Sequence, residues 1–245
     1  MATVLEGLNQ ALLHSLEHDN NVLLLGEDIL DPYGGAFKVT KGCSSAFPDR
    51  VFTTPISEAG LLGIANGLAL AGKKPVVEIM FGDFITLTMD QLVNHATKFR
   101  WMYNDSVNVP LVVRTPMGGR RGYGPTHSQS LEKHFIGVPG LVMLAPNALG
   151  GAGALLEHAI LHETNPVLFV EHKLLYTSIV QQQGQGELVD FVVDFGEGDT
   201  PTSVLRFAGI PQHQATIATY GYNFELARKA ALELAYEQEV FCEIV

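Results

Sequence analysis

A few side chains in this sequence are of types that move protons or wall a ligand, and each stands where the chain turns. Glu58 lies in TPISEAGLLGIANGLALAG, Thr54 to Gly72, and is its only charged residue. Two readings are open. An acid in the first helical turn is favoured by the helix dipole, with Ser57 as N-cap. Alternatively, Gly60, Gly63, Gly67 and Ala71 recur at three- and four-residue steps. They form a smooth face on which another backbone comes close, leaving Glu58 a partly dry carboxyl group able to hold or pass a proton. His127 sits in MGGRRGYGPTHSQS, among Gly118, Gly119, Gly122 and Gly124, with Arg120 and Arg121. This is either a solvated surface loop or a functional loop at the carboxyl end of a strand, where open α/β sheets bind ligands. Glu27 and Asp28 close the apolar run NVLLLGED at the same kind of edge, as caps or as site acids. Phe81 and Phe84 in IMFGDF are core residues or the wall of a pocket for a flat ring. His14 and His95 read as ordinary helix residues.

The elements that must position these groups follow from periodicity. Leu5, Leu8, Leu12 and Leu16 mark an amphipathic helix. NVLLLGED, VFTTP, KPVVEIM, VPLVVRTP, GLVMLAP and NPVLFVEH are strand-length apolar runs. Between them lie the Glu58 helix, a long helix over ITLTMDQLVNHATKFRWMY and another over LGGAGALLEHAILHE. Alternation of this kind predicts an α/β fold, a parallel sheet with helices on both faces. After Thr177 the texture changes. SIVQQQGQGELVDF reads as a linker, and the segment from Gln214 to Val245 restarts as strand, loop, helix, strand. That last unit cannot cover a sheet by itself, which predicts an incomplete second α/β domain or one completed by a partner.

Composition removes several function classes. The chain has 245 residues, 47% hydrophobic, enough for a sizeable core, and a formal net charge of −11. An acidic surface without a basic stripe argues against nucleic acid or an anionic membrane as partner. Cys43 and Cys242 have neither metal nor disulfide spacing and fit a reducing compartment. With no basic leader-like start and no span-length apolar run, the expectation is a cytoplasmic protein. Dinucleotide, P-loop and nucleophile-elbow motifs are missing from the sequence.

Taken in order, LLLGEDI, YGGAFKVTKG, RVFTTPISEAGLLGIANGLALAG, PVVEIMFGDF, DQLVNHATKFR, THSQSLEKHF, PGLVMLAP and NPVLFVEHKLLY resemble the β subunit of the E1 component of 2-oxoacid dehydrogenase complexes. These are transketolase-like thiamin-diphosphate enzymes acting on pyruvate, branched-chain 2-oxoacids or acetoin. The resemblance runs from Leu5 to Tyr176 and, more weakly, from Ala215 to Val245. It implies a pyrimidine-binding domain at 1–180, a linker at 181–207, and at 208–245 the beginning of a truncated C-terminal transketolase-like domain. It also implies an α2β2 assembly whose α chain holds the diphosphate through magnesium with a Gly-Asp-Gly motif; GEGDT at Gly196 to Thr200 is only a superficial echo of that motif. Glu58 matches the activating glutamate that hydrogen-bonds N1′ of the aminopyrimidine. Phe84, Met80 and Ser57 match the ring pocket, and Glu27 a nearby acid in proton relay. His127 matches a histidine acting in acyl transfer to the lipoyl group of E2. Leu111, Ala159, Ile160 and Asn165 match a region that holds potassium in some members, although ILHETNP is one residue longer than the usual pattern. The resemblance leaves room for another transketolase-like enzyme fragment or a non-catalytic assembly subunit.

Overall fold

The computed structural model describes residues 2–198 and 200–245. The first unit follows the alternation read from the sequence. Helix α1 (Val4–His18) opens with a capping box between Thr3 and Glu6 and buries Leu8, Leu12 and Leu16 along one face. Strand β1 (Val22–Gly26) and the short helix α2 (Cys43–Ala46) follow, then β2 (Val51–Thr53) and α3 (Glu58–Leu70). Next come β3 (Lys74–Glu78), α4 (Thr97–Met102), β4 (Val112–Met117), β5 (Val142–Leu144), α5 (Ala152–Leu161) and β6 (Val167–His172). The six strands form one sheet in the order β2-β1-β3-β4-β6-β5, every pairing parallel. One face packs on α1 and α5 through Leu8, Leu12, Leu156 and Phe169. The other packs on α3 and the segment after β3 through Leu61, Leu62, Ile85 and Leu92. The strands are apolar almost throughout because both faces are covered.

Two expectations need correction. The long helix expected after Phe84 is instead a 3₁₀ stretch (Gly82–Thr88), a π turn (Gln91–Ala96) and only then α4. Thr86 and Thr88 turn their hydroxyls onto the carbonyls of Asp83 and Ile85, at 3.2 and 2.7 Å, which competes with the regular helical ladder. The segment expected as a linker, 181–207, carries an antiparallel hairpin of β7 (Phe191–Phe195) and β8 (Ser203–Phe207). Its Gln- and Gly-rich run ends at Gly186, and the apolar residues of the strands that follow include the buried Phe191, Leu205 and Phe207.

The hairpin supplies what the final strand–helix–strand lacks. β9 (Ala215–Ile217), α6 (Asn223–Gln238) and β10 (Cys242–Ile244) join it in a second sheet, β7-β8-β10-β9. Phe224, Ala227 and Ala231 of α6 pack on its apolar face. Asp199, the acid in the Gly196–Thr200 echo, lies outside the described residues.

Candidate active site

The acids Glu27 and Glu58 meet because β1 and α3 end and begin side by side. Glu27 follows the last residue of β1, and the chain returning from β2 is tied there by the Thr54 amide, which donates to the Gly26 carbonyl at 3.0 Å. Ser57 then serves both acids. Its amide donates to Glu27 Oε1 at 3.1 Å, and its hydroxyl accepts from the Gly60 amide at 3.3 Å, capping the helix that begins at Glu58. Both residues are buried, Glu27 at 6% and Glu58 at 7% exposure. Burial pushes the Glu27 carboxyl above its ordinary range, and the neighbouring Glu58 charge pushes it further, against the Ser57 amide that stabilises its ionised form. Among the described residues, the Glu58 carboxylate has no hydrogen-bond partner, although the donors around it are engaged elsewhere. A carboxylate left without a protein donor is free to accept an N–H from a ligand or, when protonated, to donate to a basic ring nitrogen.

At the end of β3 stands an aromatic wall. Phe84 packs in the same cluster as Leu61 and Leu62 of α3, which ties the wall to the helix that carries Glu58. His127 lies edge-on to Phe81 and Phe84, at 4.6 and 5.3 Å between ring centres. Phe37 and Tyr123 extend the wall, 5.5 and 5.6 Å from Phe81. Met80, half-buried, lies between β3 and Phe81. A face of this kind suits a flat ring, by edge and offset contacts with the aromatics.

Beneath the wall lies a charged foundation. Arg114, on β4, is 1% exposed and grips Glu171 of β6 with two nitrogens at 2.7 and 2.9 Å and Glu78 of β3 at 3.0 Å. Burial works against the guanidinium charge, but Glu171 and Glu78 reverse that and hold it firmly protonated. The Tyr176 hydroxyl donates to Glu171 at 2.5 Å. Gly35 (φ 79°) passes so close to Glu78 that a Cβ would fall 2.6 Å from its Oε1. Only glycine gives this loop both the left-handed turn and the close approach.

The structure brings Glu27, Ser57 and Glu58 together, and likewise Phe84 and His127, with Met80 just after β3, all at the carboxyl ends of β1, β2, β3 and β4. The residues matched to potassium lie elsewhere. Leu111 precedes β4, and Ala159, Ile160 and Asn165 lie at the end of α5 and beyond it, at the opposite edge of the sheet. There the Leu161 carbonyl accepts the Lys74 ammonium at 2.6 Å, and Asn165 turns its amide nitrogen to Glu163 at 3.1 Å. Sequence reading passed over Phe37, Tyr123, Tyr176, Asp83 and Lys173, which join the site only in three dimensions. A legible signal was EHKLLY, two charged residues at the end of an otherwise apolar strand.

Four cavities of about 450, 550, 620 and 370 Å³ open elsewhere, and none is lined by Glu27, Glu58, Phe84 or His127. The candidate site borders an exposed side of α3. Beside it, Ile56 and Ile64 are 82% and 57% exposed, and a Cβ at Gly63 or Gly67 would meet nothing within 4 Å.

Comparison with known proteins agrees with this arrangement. The transketolase pyrimidine-binding-domain family matches residues 1–178. The chain is 36% identical over 244 residues to the mitochondrial pyruvate dehydrogenase E1 component subunit beta-1 of Arabidopsis thaliana, covering 99% of this chain and 64% of that protein. It is 35% identical over 231 residues to the 2-oxoisovalerate dehydrogenase subunit beta of Bacillus subtilis, covering 94% and 67%. It thus spans about two thirds of the length of these relatives. A split-gene transketolase, solved as an inactive β4 tetramer, shares the fold at a TM-score of 0.66 and 19% identity, covering 98% of this chain and 69% of that one. The cytoplasmic location expected from composition is overturned, since the Arabidopsis relative is mitochondrial. Buried free cysteines fit any reducing compartment, and an acidic composition carries no address. By sequence and by fold, the chain belongs to the transketolase pyrimidine-binding family, in the group of 2-oxoacid dehydrogenase E1 β subunits.

Proposed function

We propose that this chain is the β half of an E1 that decarboxylates a 2-oxoacid, pyruvate or branched-chain, and passes the acyl group to a lipoyl arm. The observation that carries the reading is Glu58 at the start of α3 beside Glu27, its carboxylate without a hydrogen-bond partner among the described residues and bordering the exposed side of α3. Thiamin diphosphate, when bound, supplies the electron sink for loss of carbon dioxide. Glu58 holds a proton at N1′ of its aminopyrimidine ring. Glu27, with its raised affinity for protons, exchanges that proton with the surroundings. Phe84 and Met80 wall the ring, and Ser57 fixes the spacing of the two acids. His127, held edge-on against Phe81 and Phe84, orients the reacting groups and delivers a proton on the acyl-transfer side.

The exposed side of α3 requires a second chain to exclude water. In this reading an α subunit seats on the smooth side of α3, around Ile56, Ile64 and Gly67, and brings the magnesium–diphosphate half in an α2β2 assembly. The lipoyl domain of E2 approaches the His127 loop. Residues 1–180 form the ring-binding unit, and the second sheet, from β7 onward, serves assembly.

Co-expression with an α chain carrying Gly-Asp-Gly tests this. The account expects the two chains to purify together and to decarboxylate pyruvate or 3-methyl-2-oxobutanoate only with thiamin diphosphate added. Turnover by this chain alone, or a stable but silent complex on both substrates, would contradict it.

A further inference from the structure

The loop that carries His127 is tied down at its root from two sides. Its ends are joined by the Gly118 amide, which donates to the Gln129 carbonyl at 3.1 Å. The Gln129 amide and side chain then donate to Asp83 at 3.2 and 2.8 Å. From below, the Lys173 ammonium donates to the Gly118 carbonyl at 2.9 Å and lies 5.3 Å from the centre of the Phe81 ring. Lys173 is fully buried, and burial lowers its pKa to about 8. From the other side, the His172 ring fills the space a side chain at Gly118 would need, since a Cβ there would fall 1.9 Å from Nε2. His172 Nδ1 accepts the Leu174 amide at 3.1 Å, which fixes the neutral ring's orientation. Its outer face stacks on Tyr222 at 4.6 Å and 14°.

Tyr222 belongs to the second unit, just ahead of α6. Two residues before it, the Tyr220 hydroxyl donates to Glu132 at 3.0 Å, a few residues past the end of the loop. The second unit therefore reaches the neighbours of the His127 loop on two sides, His172 and Glu132, in each case through a tyrosine. Burying a lysine with one hydrogen bond is costly, so its retention needs a reason beyond filling space.

We propose that Lys173, His172 and Tyr222 are positioning residues, a three-layer clamp through which the second unit sets the order of the His127 loop. None of them touches the reacting atoms. The clamp is a statement about loop order; its value for catalysis rests on the function proposed for His127.

Hydrogen–deuterium exchange on the full chain tests it without cofactor or partner. Tyr222→Ala should speed exchange in peptides covering 118–131 by about tenfold or more while β1, β3 and β4 keep their protection, as expected for a local opening. Tyr222→Phe, which keeps the stack, should restore the slow rate. Lys173→Met should loosen the same peptides, and Tyr220→Phe, the mildest change, should loosen the 130–136 flank. Unchanged exchange in 118–131 in Tyr222→Ala, or a rise spread evenly over the whole chain, would overturn the clamp. If the variants loosen the loop but leave kcat and KM of the reconstituted enzyme unchanged, the clamp stands and the catalytic role of His127 falls.

Discussion

The acid side of the site and the loop side are built in different ways. Glu27 and Glu58 are fixed by local structure: a strand end, an N-cap and one serine that bonds to both elements. His127 is fixed by contacts that cross the molecule, from Asp83, Lys173, His172 and, through Tyr222, the second sheet. Precision at the acids follows from the rigidity of β1 and α3. Precision at the loop depends on tertiary partners, so it is open to control from a distance. A proton-holding group gains from the first arrangement, and a group that must admit a bulky acyl acceptor gains from the second.

The contrast can be broken most severely at the shared foundation. Arg114→Met leaves Glu78 and Glu171 buried with no countercharge, and should cost about 3–5 kcal/mol of stability in a denaturant titration. A loss below 1 kcal/mol would mean that water enters the foundation. On the aromatic wall, Phe84→Ala removes one face of the ring pocket. It should weaken thiamin diphosphate in the reconstituted enzyme by about tenfold, the value of one aromatic contact, read as the cofactor concentration for half activity. No change there would remove Phe84 from the site.

The smallest effect, at the acids, also has a defined sign. Glu27 has a raised pKa in the fold, so its ionised form opposes folding. Its favourable contribution is complete below the ordinary carboxylate value of 4.5 and is lost as pH rises through the raised value. Glu27→Gln keeps an oxygen for the Ser57 amide and removes the charge. The variant should therefore melt slightly above the parent at pH 8, with the gap closing towards pH 4. A gap that widens towards acid would reverse the assignment.

The two sides also differ in how far the sequence revealed them. The parallel sheet was legible because its strands are apolar on both faces, and Glu58 because a lone acid at the start of an uncharged helix stands out. His127 stood out in its Gly-rich loop and Phe84 at a strand end, and motif resemblance gave them roles. Lys173 and Tyr222 were not legible, since a lysine beside a strand and a tyrosine before a helix have no pattern until the chain folds. The β7–β8 hairpin was hidden by the glutamines before it, and the 3₁₀ and π turns after Phe81 by threonines that are compatible with a helix in the sequence but bond locally in the fold.

The central claim is that Glu58 acts as a proton-holding acid on a face completed by another chain. The most direct test is Glu58→Gln in the co-expressed assembly. Because the Glu58 carboxylate has no hydrogen-bond partner among the described residues and its charge repels Glu27, the variant should fold and assemble as the parent does and melt no lower. Its thiamin-diphosphate-dependent decarboxylation should fall by about 10²–10⁴-fold, the value of a positioned acid–base group. Parent-like turnover in an intact assembly would contradict the account.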